Sequence, residues 1–155
     1  FASAMTLLGH KDGEESSGAS YLELAEFITR HGASVEKDLE ELWKRIVLSI
    51  CVKNTDDHLR NHGFLLTENG WLLSPAYDIN PNEYGQGLSL NISFDDNSLD
   101  TDLALEVAGY FRLENRKADK IIGDIKNTVG KWKTIAVKYK ISKNEQDRMA
   151  TAFSL

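Results

Sequence analysis

Apolar residues recur every three or four positions through much of this chain, which is the spacing of one buried face of an α-helix. A first helix is predicted to follow the capping box of Ser20 and Glu23 and to end at His31–Gly32. A second is predicted from about Glu36 to Cys51, where six apolar side chains repeat at helical spacing: Leu39, Leu42, Trp43, Ile46, Val47 and Ile50. Both helices are expected to pack one face against a core.

Polar residues replace this pattern directly after the second helix. The run 53–61 (KNTDDHLRN) is predicted to be an exposed loop. Gly63–Leu73 is predicted to be a β-hairpin, because two apolar stretches flank Asn69–Gly70, the pair favoured at the centre of two-residue type I′ turns. Ser74–Pro75 is expected to end the second strand, and a further short strand is predicted at Leu88–Ser93.

Helical spacing returns in the last part of the chain. One helix is predicted over Leu103–Phe111, a long one over Ala118–Tyr139, and a last one after the capping box of Ser142 and Glu145. Residues 11–18 are polar and rich in glycine and serine, which predicts a loop. Together these elements predict a mainly α fold with a small β-hairpin.

Composition narrows the class of protein. With 155 residues, 41% of them hydrophobic and 27% charged, the chain has the size and balance of one globular domain. The net charge of −6 argues against a nucleic-acid-binding surface, and we interpret the lysine-rich run from Arg112 to Lys143 as a solvated helix face. No apolar run approaches the roughly 20 residues of a membrane span.

The chain ends and the cysteine content add two expectations. A single cysteine, Cys51, excludes an internal disulfide and a cysteine-based zinc site, which fits a reducing, cytoplasmic setting. The chain begins without methionine, at Phe1 in the apolar stretch FASAMTLLG, which indicates the interior of a longer protein. We therefore expect the sequence to be a fragment.

Three oxygen-bearing side chains follow the second helix at a spacing typical of phosphoryl transfer. That reaction needs a carboxylate near the attacking hydroxyl and divalent metal on the phosphates, and Mg²⁺ prefers oxygen ligands. In protein kinases one loop carries a catalytic Asp and, five residues later, a metal-binding Asn, and a second metal-binding Asp comes after a hairpin. Here Asp56 and Asn61 are five residues apart, and Asp78 lies beyond the predicted hairpin.

The individual residues also have ordinary interpretations. An isolated pair with the spacing of Asp56 and Asn61 is more often a surface turn than a catalytic site, so the hypothesis depends on the ordered combination. Asp57 is expected to be structural or solvent-facing, although its position beside Asp56 leaves the register open. His58 and His62 are four apart, but a loop and a strand do not give them a shared helical face, which disfavours zinc.

The segments NTDDHLRN and LSPAYDIN resemble the signature of the C-terminal domain of HipA-like serine/threonine kinases, the toxins of HipA–HipB toxin–antitoxin pairs. SAMTLLG and SYLELAEFI are also similar to that family, so the resemblance covers nearly the whole chain. It implies that residues 1–155 are the helical C-terminal lobe of a protein-kinase-like (α+β) fold. It also implies phosphoryl transfer from ATP, with Mg²⁺, to a protein hydroxyl.

The resemblance also implies roles for six residues. Asp56 matches the catalytic aspartate of the family. The contacts to ATP are carried over to the following set: His58, Arg60, Asn61, Tyr77 and Asp78. Of these, Asn61 and Asp78 would be the metal ligands. Arg60 stands where lysine is usual, and its planar guanidinium is a different phosphate contact from a point charge.

A complete kinase of this family has further parts upstream of Phe1. The phosphate-covering loop, the strand lysine and the adenine-binding hinge belong to a missing N-terminal lobe, so the fragment alone is expected to be inactive. The expected partners are a protein substrate, a HipB-like antitoxin and that N-terminal lobe, with no direct nucleic-acid or membrane contact.

Two alternative functions stay open. One is a non-catalytic module that docks an antitoxin or a separately encoded lobe. The other is a small-molecule kinase of the aminoglycoside or choline type, which usually has His-Gly where Asn54–Thr55 stands.

Overall fold

The computed structural model of the protein describes residues 1–11 and 18–153, so most of the predicted loop at 11–18 lies outside the described residues. The chain opens with a two-residue strand, β1 (Ala2–Ser3), and a short helix, α1 (Ala4–Leu8). Helices α2 (Tyr21–His31) and α3 (Val35–Val52) follow. Both were predicted, with α3 one residue longer at each end.

Local chemistry explains where α2 begins and ends. The predicted capping box of Ser20 and Glu23 is present, with the backbone N–H of Ser20 donating to the Glu23 carboxylate at 3.0 Å. At the other end Gly32 closes the helix by donating its N–H to the Ile28 carbonyl at 2.8 Å. A helix start and stop of this kind can be located from sequence because the signals lie within one turn of the boundary.

The predicted hairpin forms, and its first strand also pairs with the start of the chain. Strands β2 (Gly63–Thr67) and β3 (Gly70–Leu73) are antiparallel, and β1 lies on the other side of β2, so the sheet order is β1-β2-β3. Strand β3 ends directly before Ser74–Pro75, as predicted.

The hairpin turn differs from the predicted one. Thr67 pairs with Gly70, so the two residues between the strands are Glu68 and Asn69. Neither has a positive φ, whereas a type I′ turn needs positive φ at both central residues, so that prediction was wrong. Gly70 alone takes the left-handed region, with φ of +123°.

The predicted strand at Leu88–Ser93 is also wrong. Its alternating side chains Leu88, Leu90 and Ile92 are buried, but the backbone makes only isolated bridges, such as the one between Ser20 and Asn91. The alternation of apolar residues in this segment therefore indicated which side chains are buried, and did not indicate a strand. Within the described chain the segment does not pair continuously with any strand.

The C-terminal part forms shorter helices than predicted. Helix α4 (Thr101–Glu106) passes into a 3₁₀ helix at Ala108–Phe111, where a single α-helix was expected. The long predicted helix is two helices, and the last helix follows its predicted capping box. These elements are α5 (Asn115–Val129), α6 (Trp132–Lys138), α7 (Lys143–Met149) and a final 3₁₀ turn (Ala150–Phe153). After the break at Gly130–Lys131, Trp132 stacks on Phe153 with ring centroids 4.6 Å apart.

Helix α3 is the centre of the fold. Its residues Leu42, Trp43 and Ile46 are fully buried, and it packs against α2, α4 and α5. The Trp43 indole N–H donates to the Ala104 carbonyl at 3.0 Å, which fixes α4 on α3. The C-terminal end of α3 is therefore a rigid support for the loop that follows it. Across residues 1–11 and 18–153, none of the helices is both long enough and apolar enough to cross a membrane.

Candidate functional site

The loop between α3 and β2 is fixed near its start, at Asn54. Asn54 is buried, and its side-chain amide donates to the Ser49 hydroxyl on α3 at 3.3 Å. Its amide oxygen accepts from the backbone N–H of Asn80 at 3.0 Å. One buried side chain thus joins the end of α3, the loop and the segment after β3.

Within this loop, the Asn61 side chain contacts the backbone of Asp56. The Asp56 side chain is exposed, whereas Asn61 is buried in a short 3₁₀ helix, Leu59–Asn61. The Asn61 amide nitrogen donates to the Asp56 carbonyl at 3.2 Å. This bond orients the Asn61 amide and leaves its oxygen as the acceptor that a cation could use.

Asp78 lies beside the same loop. The Tyr77 hydroxyl donates to the Arg60 carbonyl at 2.7 Å, and the N–H of Asn80 reaches Asn54, so hydrogen bonds anchor the chain on both sides of Asp78. Asn61, Tyr77 and Ile79 line one small cavity of about 10 Å³. The backbone on both sides of Asp78 is therefore adjacent to Asn61, and the position of the Asp78 carboxylate on a shared metal ion stays a prediction.

The backbone of Asp78 itself is unusual. Its φ is 57°, in the left-handed region that side chains other than glycine rarely occupy. The carboxylate is exposed, and its Oδ1 accepts from the Asn80 side-chain amide at 2.7 Å. Conformations of this kind cost free energy and are concentrated at functional sites, where the surrounding bonds maintain them.

Tyr77 and Arg60 extend the site beyond the two carboxylates. The pKa of the Tyr77 hydroxyl lies above its usual value, mainly because the group is partly buried. The charges of Asp78 and Asp57 also raise this pKa, whereas the positive charge of Arg45 lowers it. That hydroxyl stays protonated near neutral pH and can keep donating to the Arg60 carbonyl. Arg60, which lies half-buried in the 3₁₀ helix, is held in position through this bond to its backbone.

Asp57 has an environment opposite to that of its neighbour Asp56. It is only 4% exposed and accepts from the Tyr21 hydroxyl at 2.6 Å and more weakly from the Ser49 hydroxyl at 3.4 Å. His62 Nε2 lies 3.0 Å from its Oδ1, close enough for an ion pair but without the alignment of a good hydrogen bond. The expectation of a structural carboxylate was right, and that of a solvent-facing one was wrong.

The surroundings of Asp57 favour the ionised form of its carboxylate. Burial by itself raises the pKa of Asp57, but contacts from His62, Tyr21 and Ser49 outweigh it, so the pKa of Asp57 lies below its usual value. Burial and the Asp57 charge together raise the pKa of Tyr21 well above 10. The loop is thus held from beneath by a charged, hydrogen-bonded carboxylate, and Asp56 is presented to solvent.

The histidines do not form a joint site. His62 is buried beside Asp57, whereas His58 is half-buried, and its Nδ1 lacks a hydrogen-bond partner within the described part of the chain. Over residues 1–11 and 18–153 no three His, Cys, Asp or Glu side chains are grouped so that they could hold a metal ion. An Asn amide with one carboxylate is a different donor set, which suits Mg²⁺ because that ion keeps waters and substrate phosphates as its other ligands.

Several residues that build the site were missed from sequence. Tyr21 and Ser49 lie in predicted helices. They are 36 and eight residues from Asp57 in the sequence, so no local pattern indicates that they bond to it. The asparagines at 80 and 82 lie two and four residues after Asp78, and their amide groups were a usable sign that the segment bonds back to the loop. Asn82 does so through the Thr55 hydroxyl at 2.9 Å.

Comparison with known proteins assigns a family and a fold. The family model for the HipA-like C-terminal domain matches residues 1–132. No curated protein matches the chain. Among solved structures, the chain is similar to one in the complex of the Shewanella oneidensis MR-1 toxin–antitoxin system HipA, HipB and its operator DNA. The TM-score is 0.76, the identity 16%, and the match covers 98% of this chain and 41% of that one.

These matches confirm the expected fold class and the expected family. At 16% identity the structural likeness shows the shared fold, which is the kinase-like fold predicted from the motifs. The chain spans about two-fifths of the length of that solved chain. Because the family match extends over 132 of the 155 residues, the chain belongs to the family of HipA-like C-terminal domains.

Proposed function

We propose that this chain is the catalytic C-terminal lobe of an ATP- and Mg²⁺-dependent serine/threonine protein kinase of the HipA type. The observation that carries the proposal is the anchoring of the chain on both sides of Asp78 to the loop of Asp56 and Asn61. It supports three oxygen-bearing side chains acting on one bound nucleotide.

The proposed roles follow from chemistry and exposure. Asp56 is an exposed carboxylate that can orient a substrate hydroxyl and accept its proton. Asn61 and Asp78 would hold Mg²⁺, which supplies neutralisation of phosphate charge when bound. His58, Arg60 and Tyr77 border the same loop and are proposed to contact the nucleotide.

The proposal concerns a complete kinase of which this chain is one lobe. The chain spans 41% of the solved relative's length, so we propose that the phosphate-covering loop and its lysine are supplied by a preceding N-terminal lobe. A HipB-like antitoxin is a proposed partner, because that relative lies in a complex with HipB.

The first test is Asp56→Asn in the complete protein. Loss of the proton acceptor is expected to reduce phosphotransfer by about 10²–10⁴-fold. The melting temperature is expected to stay the same, because the Asp56 side chain is exposed. Asp119→Asn, at an exposed position on α5, is the matched control and should keep full activity. Retained turnover in the Asp56 variant removes it from the catalytic role.

The non-catalytic alternative has one supporting observation, the short span of the chain relative to its solved relative. A module that only docks an antitoxin or another lobe needs neither Asp56 nor Asp78. Absence of phosphotransfer from the unmodified complete protein, with antitoxin binding intact in the unmodified protein and in both Asp56→Asn and Asp78→Asn, would favour this alternative.

A further inference from the structure

The middle of the chain has an extreme charge distribution. All 18 lysine and arginine residues lie outside Gly63–Phe111, and so do all four histidines. The same stretch contains eight carboxylates: Glu68, Asp78, Glu83, Asp95, Asp96, Asp100, Asp102 and Glu106. This region directly follows the loop of Asp56 and Asn61 in the sequence, and one of its carboxylates, Asp78, belongs to the candidate site.

Among the described residues, only Glu83 of these eight carboxylates pairs with a basic residue, Arg148, at 3.6 Å. On α3, the acidic residues Glu36, Glu40 and Glu41 each form an ion pair with a lysine or arginine. Asp95 and Asp96 are exposed and have no basic partner among the described residues. Asp96 instead accepts from the Ser98 hydroxyl and N–H, which lowers its pKa and keeps it ionised.

Two exposed aromatic side chains lie at the same place. Phe94 is 72% exposed and Tyr110 is 54% exposed, and their rings meet edge to face with centroids 5.9 Å apart. Phe94 directly precedes Asp95 and Asp96. We name Phe94, Asp95, Asp96 and Tyr110 the Phe94 face. Exposed rings beside unpaired carboxylates suit a guanidinium or ammonium group, which is attracted to both.

The segment that carries this face is bonded to the residue before Asp56. The Ser89 hydroxyl donates to the Thr55 carbonyl at 2.7 Å, and the Asn82 side chain donates to the Thr55 hydroxyl at 2.9 Å. Asn91 then fixes the segment to α2, since its carbonyl accepts from the Tyr21 N–H at 3.0 Å. A ligand on the Phe94 face is therefore held by the segment that borders Asp56.

We infer that the Phe94 face binds an arginine- or lysine-rich segment of the protein substrate, close to the hydroxyl that receives the phosphoryl group. Charge complementarity commits the face to this occupant. Asp95 and Asp96 belong to a stretch with eight carboxylates and no lysine, arginine or histidine, and among the described residues only Glu83 of the eight pairs with a base, so the stretch attracts a cationic chain and repels nucleic acid. The inference rests on the proposed kinase function and specifies its substrate class.

The test is fluorescence anisotropy with a labelled serine peptide that carries four arginines, titrated with this chain without nucleotide. The charge-matched variant pair is Asp95→Lys with Asp96→Lys against Asp119→Lys with Asp147→Lys, since all four residues are exposed. We expect the first double variant to weaken binding at least about tenfold more than the second. Phe94→Ala is expected to weaken it about threefold or more, and a peptide with four glutamates should not bind.

Single variants guard against misfolding. Asp95→Lys changes a side chain that makes no hydrogen bond within the described residues, and it is compared with Asp119→Lys after both pass a thermal-melt check. Equal weakening by the two double variants, or no binding of the arginine peptide, overturns the inference. The inference is also overturned if the chain does not bind the peptide but self-associates, and this self-association is lost in the Asp95/Asp96 double variant. The occupant of the face would then be a second copy of the chain.

The two proposals fail separately. Peptide binding is measured without ATP, so its absence contradicts the substrate class and leaves the catalytic assignment untouched. Retained turnover in Asp56→Asn contradicts the catalytic assignment, while that variant is still expected to bind the arginine peptide within about twofold of the unmodified chain.

Discussion

At the scale of residues, the site depends on two adjacent aspartates with opposite environments. Asp56 is exposed, and Asp57 is buried against Tyr21, Ser49 and His62. The spacing to Asn61 pointed to Asp56 from sequence. The role of Asp57 could not be predicted, because its partners come from helices whose packing is not visible in local spacing. The buried Asp57 therefore holds the loop, and the exposed Asp56 faces solvent.

Asp57→Asn tests the anchoring role. Replacing the charged acceptor weakens hydrogen bonds from Tyr21 and Ser49 and the contact with His62, so the free energy of unfolding is expected to fall by about 1–3 kcal/mol. Urea titration measures this loss. The exposed Asp119→Asn is the control and should change it by less than about 0.5 kcal/mol. An equal effect of the two variants would show that Asp57 is not an anchor.

The same residue sets a pH dependence. The folded-state pKa of Asp57 lies below its unfolded value, so its contribution to stability is complete above the unfolded pKa of about 3.9. That contribution is lost as the pH falls through the folded-state pKa. Thermal melts from pH 7 to pH 2 should therefore show a steeper acid decline for the unmodified chain than for Asp57→Asn. Parallel curves contradict the anchor.

At the scale of elements, boundaries set by local chemistry were predictable and tertiary ones were not. The start and end of α2 lie at a capping box and at Gly32, both readable in sequence. The break between α5 and α6 leaves the apolar spacing nearly intact, so the spacing predicted one helix. The prediction placed the hairpin turn one residue too far along the chain. Asn-Gly occurs in more than one turn geometry, and the contact of Gly70 with the end of α2 is a tertiary feature that the local sequence does not show.

Gly70 provides the test at this scale. Its φ of +123° is unfavourable for side chains, and a Cβ there would lie 2.6 Å from the His31 carbonyl oxygen at the end of α2. Gly70→Ala is expected to lower the free energy of unfolding by more than about 1 kcal/mol. Gly123→Ala, inside α5 where a Cβ meets no atom within 4 Å, should raise it by about 0.5–1 kcal/mol. Urea titration of both variants compares them, and a neutral Gly70→Ala contradicts the close approach.

At the scale of the whole molecule, the chain is a helical lobe organised around α3, whose C-terminal end carries the candidate site. Sequence predicted the helical class, the hairpin and the family, because those follow from periodicity and from two short motifs. It did not predict that β1 joins the hairpin or that residues 79–100 form an irregular segment bonded to Thr55. Those features arise from contacts between distant parts of the chain.

The convergence of Asn61 and Asp78 on one ion is the central claim, and a crystal structure of the complete protein with Mg²⁺ and a non-hydrolysable ATP analogue tests it most directly. The account predicts Mg²⁺ at about 2.0–2.1 Å from the Asn61 amide oxygen and from an Asp78 carboxylate oxygen. It also predicts the Asp56 carboxylate free of metal and open to solvent. A metal held elsewhere, with the Asp78 carboxylate turned away from Asn61, would contradict it.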